Sequence, residues 1–115
     1  MWDNNSRVYL AVGTTDMRKQ INGLSILVQE SMELDPFSGS VYVFCNRQRS
    51  IVKAIYWDRN GFCLWQKRLE KERFQWPDTE EEVVRISSRQ LSWLLDGLEL
   101  VQGSAHGQLQ YSSVT

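Results

Sequence analysis

Residues 51–58 (IVKAIYWD) and 62–69 (FCLWQKRL) flank the turn Asp58-Arg59-Asn60-Gly61, and no other feature constrains the fold as tightly. An Asn-Gly pair between two aromatic-rich runs is a strong hairpin signal, because both residues accept the backbone angles of a tight turn. A third run, 41–46, precedes them across the polar loop 46–50. Three consecutive strands in an antiparallel meander are therefore expected. One face of such a sheet must be covered by another element.

The cover is written upstream. Val8, Leu10 and Val12 alternate with Tyr9 and Ala11, so 7–12 reads as a strand, which Gly13 breaks. Met17, Ile21, Leu24 and Val28 then recur at helical spacing, which predicts an amphipathic helix over about 16–33. Thr14 or Thr15 can cap it, and Asp16 suits the positive end of its dipole. Gly23 sits inside it at a cost of about 1 kcal/mol against Ala, and close helix–sheet packing would explain that choice. Asp35-Pro36-Phe37-Ser38-Gly39 ends the helix and turns the chain. Downstream, 83–86 reads as a short edge strand. Ser87-x-x-Gln90 is a capping box, and Leu91, Leu94, Leu95 and Leu98 predict a second short helix over about 88–97, ended by Gly97 or Gly103. The expected fold is α+β: an antiparallel sheet of about four to five strands with one helix packed on a face and a second, short helix. Residues 1–101 read as one domain and 102–115, rich in Gly, Ser and Gln, as a flexible tail.

Charge is segregated along this chain. Residues 41–77 hold eight Lys or Arg against three Asp or Glu, a net of +5, whereas 1–40 sum to −2 and 78–115 to −4. The same segment carries eight of the thirteen aromatic residues. Cations that hold phosphates, mixed with rings on which bases stack, make a nucleic-acid surface. Strand aromatics also serve as core, and basic side chains as a solvated face, so composition leaves both readings open.

The candidate phosphate contacts are Arg47, Arg49, Lys53, Lys67, Arg68, Lys71 and Arg73. Glu70 and Glu72 interleave the last four, so local ion pairs are the competing reading there. Arg47 and Arg49 have no acidic neighbour in sequence. Arg18 and Lys19, in Thr15-Asp16-Met17-Arg18-Lys19, are candidates for a partner contact, against simple capping with an Asp16–Arg18 or Asp16–Lys19 pair. Trp65, Phe74 and Trp76 are expected to be exposed interface anchors for a protein partner.

Catalytic chemistry has little to stand on. Asp16, Asp35 and Asp58 occupy a helix start, a pre-proline turn and a hairpin turn, the usual structural places for Asp. There is no Ser–His or Cys–His set, no P-loop and no GxGxxG. Cys45 and Cys63 lie in apolar runs without CxxC spacing, and the one histidine, His106, is in the tail. The expectation is a non-enzyme without metal or cofactor, its thiols buried and reduced. No apolar run reaches the roughly 20 residues a membrane span needs. The N-terminus MWDNNSRVYL lacks the apolar stretch of a secretory signal, so a cytoplasmic location is expected.

Five blocks, in order, carry a resemblance. They are Thr15-Asp16-Met17-Arg18-Lys19 with Gly23-Leu24, Asp35-Pro36-Phe37-Ser38-Gly39, Tyr56-Trp57-Asp58-x-x-Gly61-Phe62, Lys67-Arg68-Leu69-Glu70 with Phe74-x-Trp76-Pro77, and Leu91-x-x-Leu94-Leu95-x-Gly97. Over about residues 7–98 the chain resembles the small accessory protein, often labelled TnpB, of the insertion sequence 66 family of bacterial mobile elements. That protein is unrelated to the RNA-guided nuclease of the same label. Ser50 and Ile51 depart from the pattern where an acid and a base are common, and Glu72 replaces a frequent glycine.

The resemblance implies a bacterial transposition accessory protein, encoded beside a large transposase and a smaller upstream protein. These are its implied partners, element-end DNA is a third, and strand transfer belongs to the transposase. The leading expectation is binding of DNA or of the transposase–DNA complex through the 41–77 sheet. The alternative is a protein–protein adaptor for the transposase that does not touch DNA.

Overall fold

A computed structural model describes residues 2–100 together with the backbone of Ser112–Ser113. The order of elements is β1 Val8–Thr14, α1 Ile21–Glu30, β2 Val41–Cys45, β3 Ile51–Asp58, β4 Gly61–Arg68, β5 Val83–Ile86 and α2 Ser88–Leu95. These five strands form one sheet in the order β4-β3-β2-β1-β5, and a two-residue strand, β6 Ser112–Ser113, pairs onto β5. The rest of the expected tail, 102–111 and 114–115, lies outside the described residues.

The α+β fold and the meander stand. β2–β3 and β3–β4 pair antiparallel, and Asp58 faces Gly61 across the hairpin. The turn residues are Arg59 and Asn60, one position ahead of the Asn-Gly pair, and Arg59 takes φ 53°. β1 and β5 are also antiparallel. The sheet is mixed, because β1 and β2 run parallel, joined by α1 as a crossover. A short antiparallel turn cannot make that connection, whereas a helix can.

Both faces of the sheet are covered. Leu24 and Val28 of α1, with Met32 just beyond its end, pack on Tyr9, Tyr42, Phe44 and Ile55. On the opposite face Leu91, Leu94 and Leu95 of α2, with Phe74, pack on Leu10, Val43, Val52 and Val84. That double cover explains why β2, VYVFC, is buried at all five positions and shows no polar alternation. The expectation of binding through the 41–77 sheet is corrected to that extent: its central strand β2 has no open face.

α1 begins at Ile21, five residues later than expected. Asp16 Oδ1 accepts the Arg18 N–H at 2.9 Å, and the Asp16 carbonyl accepts the Lys19 N–H at 3.1 Å, so 16–19 forms a turn instead. Neither Thr14 nor Thr15 caps the helix, whose N-cap is Gln20 without a side-chain bond. A Cβ on Gly23 would meet the Lys19 side chain at 3.2 Å, not the sheet. At α2 the capping box forms as expected: Ser87 Oγ accepts from Gln90 N at 3.0 Å and Gln90 Oε1 from Ser87 N at 2.9 Å. Gly97, at φ 79°, closes α2, with its N–H on Leu94 O and that of Leu98 on Trp93 O.

Candidate nucleic-acid interface

β2 ends, β3 begins and β4 ends at the same edge of the sheet, so the loop 46–50 and the segment 69–74 meet there. Asn46 builds the loop. Its Oδ1 accepts the N–H groups of Ser50 at 2.9 Å and Ile51 at 3.0 Å, and its Nδ2 donates to Ser50 Oγ at 3.1 Å. Arg49 takes φ 59°, which sharpens the turn. Two backbone bonds lock the neighbouring segment to this loop, Leu69 N to Ser50 O and Phe74 N to Arg49 O, both 2.8 Å. Arg47, Arg68, Lys71 and Arg73 are all exposed on this joined unit. Arg68 pairs with Glu70 at 3.1 Å, with both side chains well exposed, so solvent keeps that pair weak.

Three candidate cations have other work. Lys53 is 2% exposed, and its ammonium donates to the carbonyls of Met17 at 2.6 Å and Lys19 at 2.8 Å. Lys67, half-buried, donates to Leu95 O at 2.6 Å and so caps the C-terminal end of α2. Both sites are corrected from phosphate contacts to structural donors: strand alternation turned their side chains inward, where orphan carbonyls needed a partner. Arg49 is half-buried. Its guanidinium lies 5.9 Å from the Trp76 ring centroid, Nη2 reaches Val12 O at 3.5 Å, and Nη1 is buried without a hydrogen-bond partner. Burial pushes the neighbouring Cys45 thiol up from its ordinary pKa, and the Arg49 guanidinium partly offsets this.

The expected aromatic anchors are corrected too. Phe74 is 2% exposed in the α2-side core. Trp76 is half-buried and its Nε1 donates to Ala11 O at 3.0 Å. Trp65 is half-buried and stands edge-on to Trp2, with centroids 5.6 Å apart. The segment after β4 folds back over the second face, and that placed Phe74 and Trp76 inward, whereas Trp65 stands on β4 itself.

Arg18 is paired with Asp16 at 2.7 Å. Hydrogen bonds from the Arg18 side chain, then from its backbone N–H, bring the Asp16 pKa down from 3.8 to about 2. Lys19 is exposed beside this pair. Thr14, Thr15, Asp16, Asn46 and Arg47 line a depression that links this turn to the cationic loop.

One surface was missed in the sequence. Phe37, 58% exposed, meets Trp57 and Phe62 with centroid distances of 5.2 Å to each. Phe37 reads as a turn residue, and only the fold of 35–39 against the hairpin gathers the three rings.

A family model described as IS66 Orf2 like protein matches residues 6–105. Two relatives come from Sinorhizobium fredii (strain NBRC 101917 / NGR234). "Uncharacterized protein y4hO" is 44% identical over 95 residues, covering 83% of each chain. "Uncharacterized protein y4jC" is 32% identical over 93 residues, covering 81% of this chain and 80% of its own. No solved structure matches. No helix among the described residues is long and apolar enough to cross a membrane.

Proposed function

The chain belongs to the family of IS66 Orf2-like proteins, with an accessory role in insertion-sequence transposition, and from that premise we propose that it is a non-catalytic factor that holds DNA phosphates through its joined segments 46–50 and 68–73. The observation that carries this reading is the set Arg47, Arg68, Lys71 and Arg73, exposed together on segments fixed by the Ser50 and Arg49 carbonyls. Cations on a rigid unit hold a duplex backbone without reading its sequence. The transposase and the upstream protein of the same element, in the bacterial cytoplasm, are the partners this reading assigns.

The test is binding of the purified chain to duplexes carrying the element's ends, across a salt series. Each phosphate contact adds about 0.9 to the slope of log affinity against log salt. Replacing Arg47, Arg68, Lys71 and Arg73 with Ala is expected to weaken binding to every sequence and flatten that slope. Absence of binding at low salt, or a slope the quadruple variant leaves unchanged, removes the reading.

The Phe37–Trp57–Phe62 cluster favours a second reading, an adaptor that grips a protein partner with the exposed Phe37 ring and the half-buried rings of Trp57 and Phe62 beside it. Co-purification with the transposase that survives nuclease and is lost in Phe37→Ser supports it. Loss of the complex on nuclease treatment alone counts against it.

A further inference from the structure

Beside the cationic loops, at the same end of β1, lies a groove of opposite sign. Its main lobe holds about 700 Å³ and a second lobe, sharing Met32, Glu33 and Val83, about 430 Å³. Ala11, Leu27 and Phe44 give the main lobe an apolar floor. The rims carry Glu30, Glu33, Glu80, Glu81 and Glu82, and among the described residues no Lys, Arg or His lines either lobe. Such a wall repels a phosphate backbone and attracts cations.

The backbone at this groove adds a second condition. β1 continues to Thr14, but its Cα pairing with β5 stops at Ala11↔Val83, and the last bond between the two segments is Val12 N to Glu82 O at 2.9 Å. The flank of Gly13 and Thr14 that β5 leaves uncovered lines the groove. An extended chain can lay its main chain along such a flank and alternate its side chains between two environments.

We propose that this groove docks an extended segment of a partner protein in which Lys or Arg alternates with apolar residues. The apolar side chains enter the floor over Leu27 and Phe44, and the cations meet the glutamate rims. This surface is separate from the DNA reading and does not depend on it.

The probe is a labelled peptide alternating Lys with Val, with a Glu–Val peptide as control, titrated against the full chain at low salt. Only the basic peptide is expected to bind saturably. The amide shifts it causes should be confined to the lining of the groove, residues 11–15, 27, 30–34, 44 and 79–83. Gly13 is exposed and a Cβ there meets nothing within 4 Å, so Gly13→Arg keeps the fold while placing bulk and positive charge in the groove. That variant is expected to weaken the peptide about 10-fold or more, and the Glu30→Gln/Glu82→Gln pair to weaken it with a reduced salt dependence. DNA retention by the cationic loops should survive in both variants, so failure here is distinguishable from failure of the DNA reading. No saturable binding of the basic peptide, equal binding to Gly13→Arg, or shifts elsewhere on the molecule overturns the proposal.

Discussion

The ammonium of Lys53 lies 2.6 Å from the carbonyl oxygen of Met17, under a helix that starts only at Ile21. The same ammonium takes the Lys19 carbonyl, so a strand cation supplies the donor that two non-helical carbonyls require. Lys53→Met keeps most of the packing and removes that donor. Each buried acceptor left unpaired costs about 1–3 kcal/mol, so a loss of about 2–4 kcal/mol is expected in urea denaturation. The folded fraction should keep its DNA affinity. Near-normal stability with lost DNA affinity would return Lys53 to the phosphate-contact set.

What was legible in the sequence was local. The β3–β4 hairpin, the capping box at Ser87 and the Gly97 stop each depend on residues within a few positions of one another. The roles of Lys53 and Lys67 depend on carbonyls 34 residues or more away for Lys53, and 28 for Lys67. No periodicity reports which distant carbonyl lacks a donor. The inward turn of Phe74 and Trp76 has the same origin, since it follows from two backbone bonds to the 46–50 loop and one side-chain bond to Ala11. Of the candidate cations, the ones left exposed, Arg47, Arg68, Lys71 and Arg73, lie in loops or at a strand end, where alternation imposes no inward face.

Trp76 separates a structural ring from a partner anchor. Trp76→Phe retains most of the apolar surface but removes the 3.0 Å bond to Ala11 O. A loss of about 1 kcal/mol is expected, read as a lower urea midpoint at unchanged slope. Unchanged stability combined with lost partner binding would mean that the ring faces a partner after all.

Arg59 occupies a position that suits glycine. It takes φ 53° at the first of the two hairpin turn residues, where a side chain is strained by about 1–2 kcal/mol. Its contact with Asp58 is 3.9 Å long and exposed, so little is lost with the side chain. Arg59→Gly recovers the strain against roughly 0.5–1 kcal/mol of extra chain entropy. A net gain of about 0.5 kcal/mol should raise the melting temperature by about 2–4 °C. A fall in melting temperature would show that the turn is relaxed with arginine in place.

Asp16 and Arg18 give the pH prediction. Arg18 holds the Asp16 pKa at about 2 in the folded chain, below its ordinary 3.8. The folded carboxyl therefore binds its proton later than the unfolded one as pH falls. Its contribution to stability is fully present above the ordinary value and is lost as pH drops from about 4 through about 2, with no effect near neutrality. The pair is exposed, so the contribution is small and is best read on the group itself. An NMR titration of the Asp16 carboxyl should give a midpoint near 2. Arg18→Ala should move that midpoint back toward 3.8. With its guanidinium already held by Asp16, Arg18 is a weaker phosphate ligand than Arg47, so Arg18→Ala should change DNA affinity less than Arg47→Ala does. The reverse order would place the DNA on the 16–19 turn.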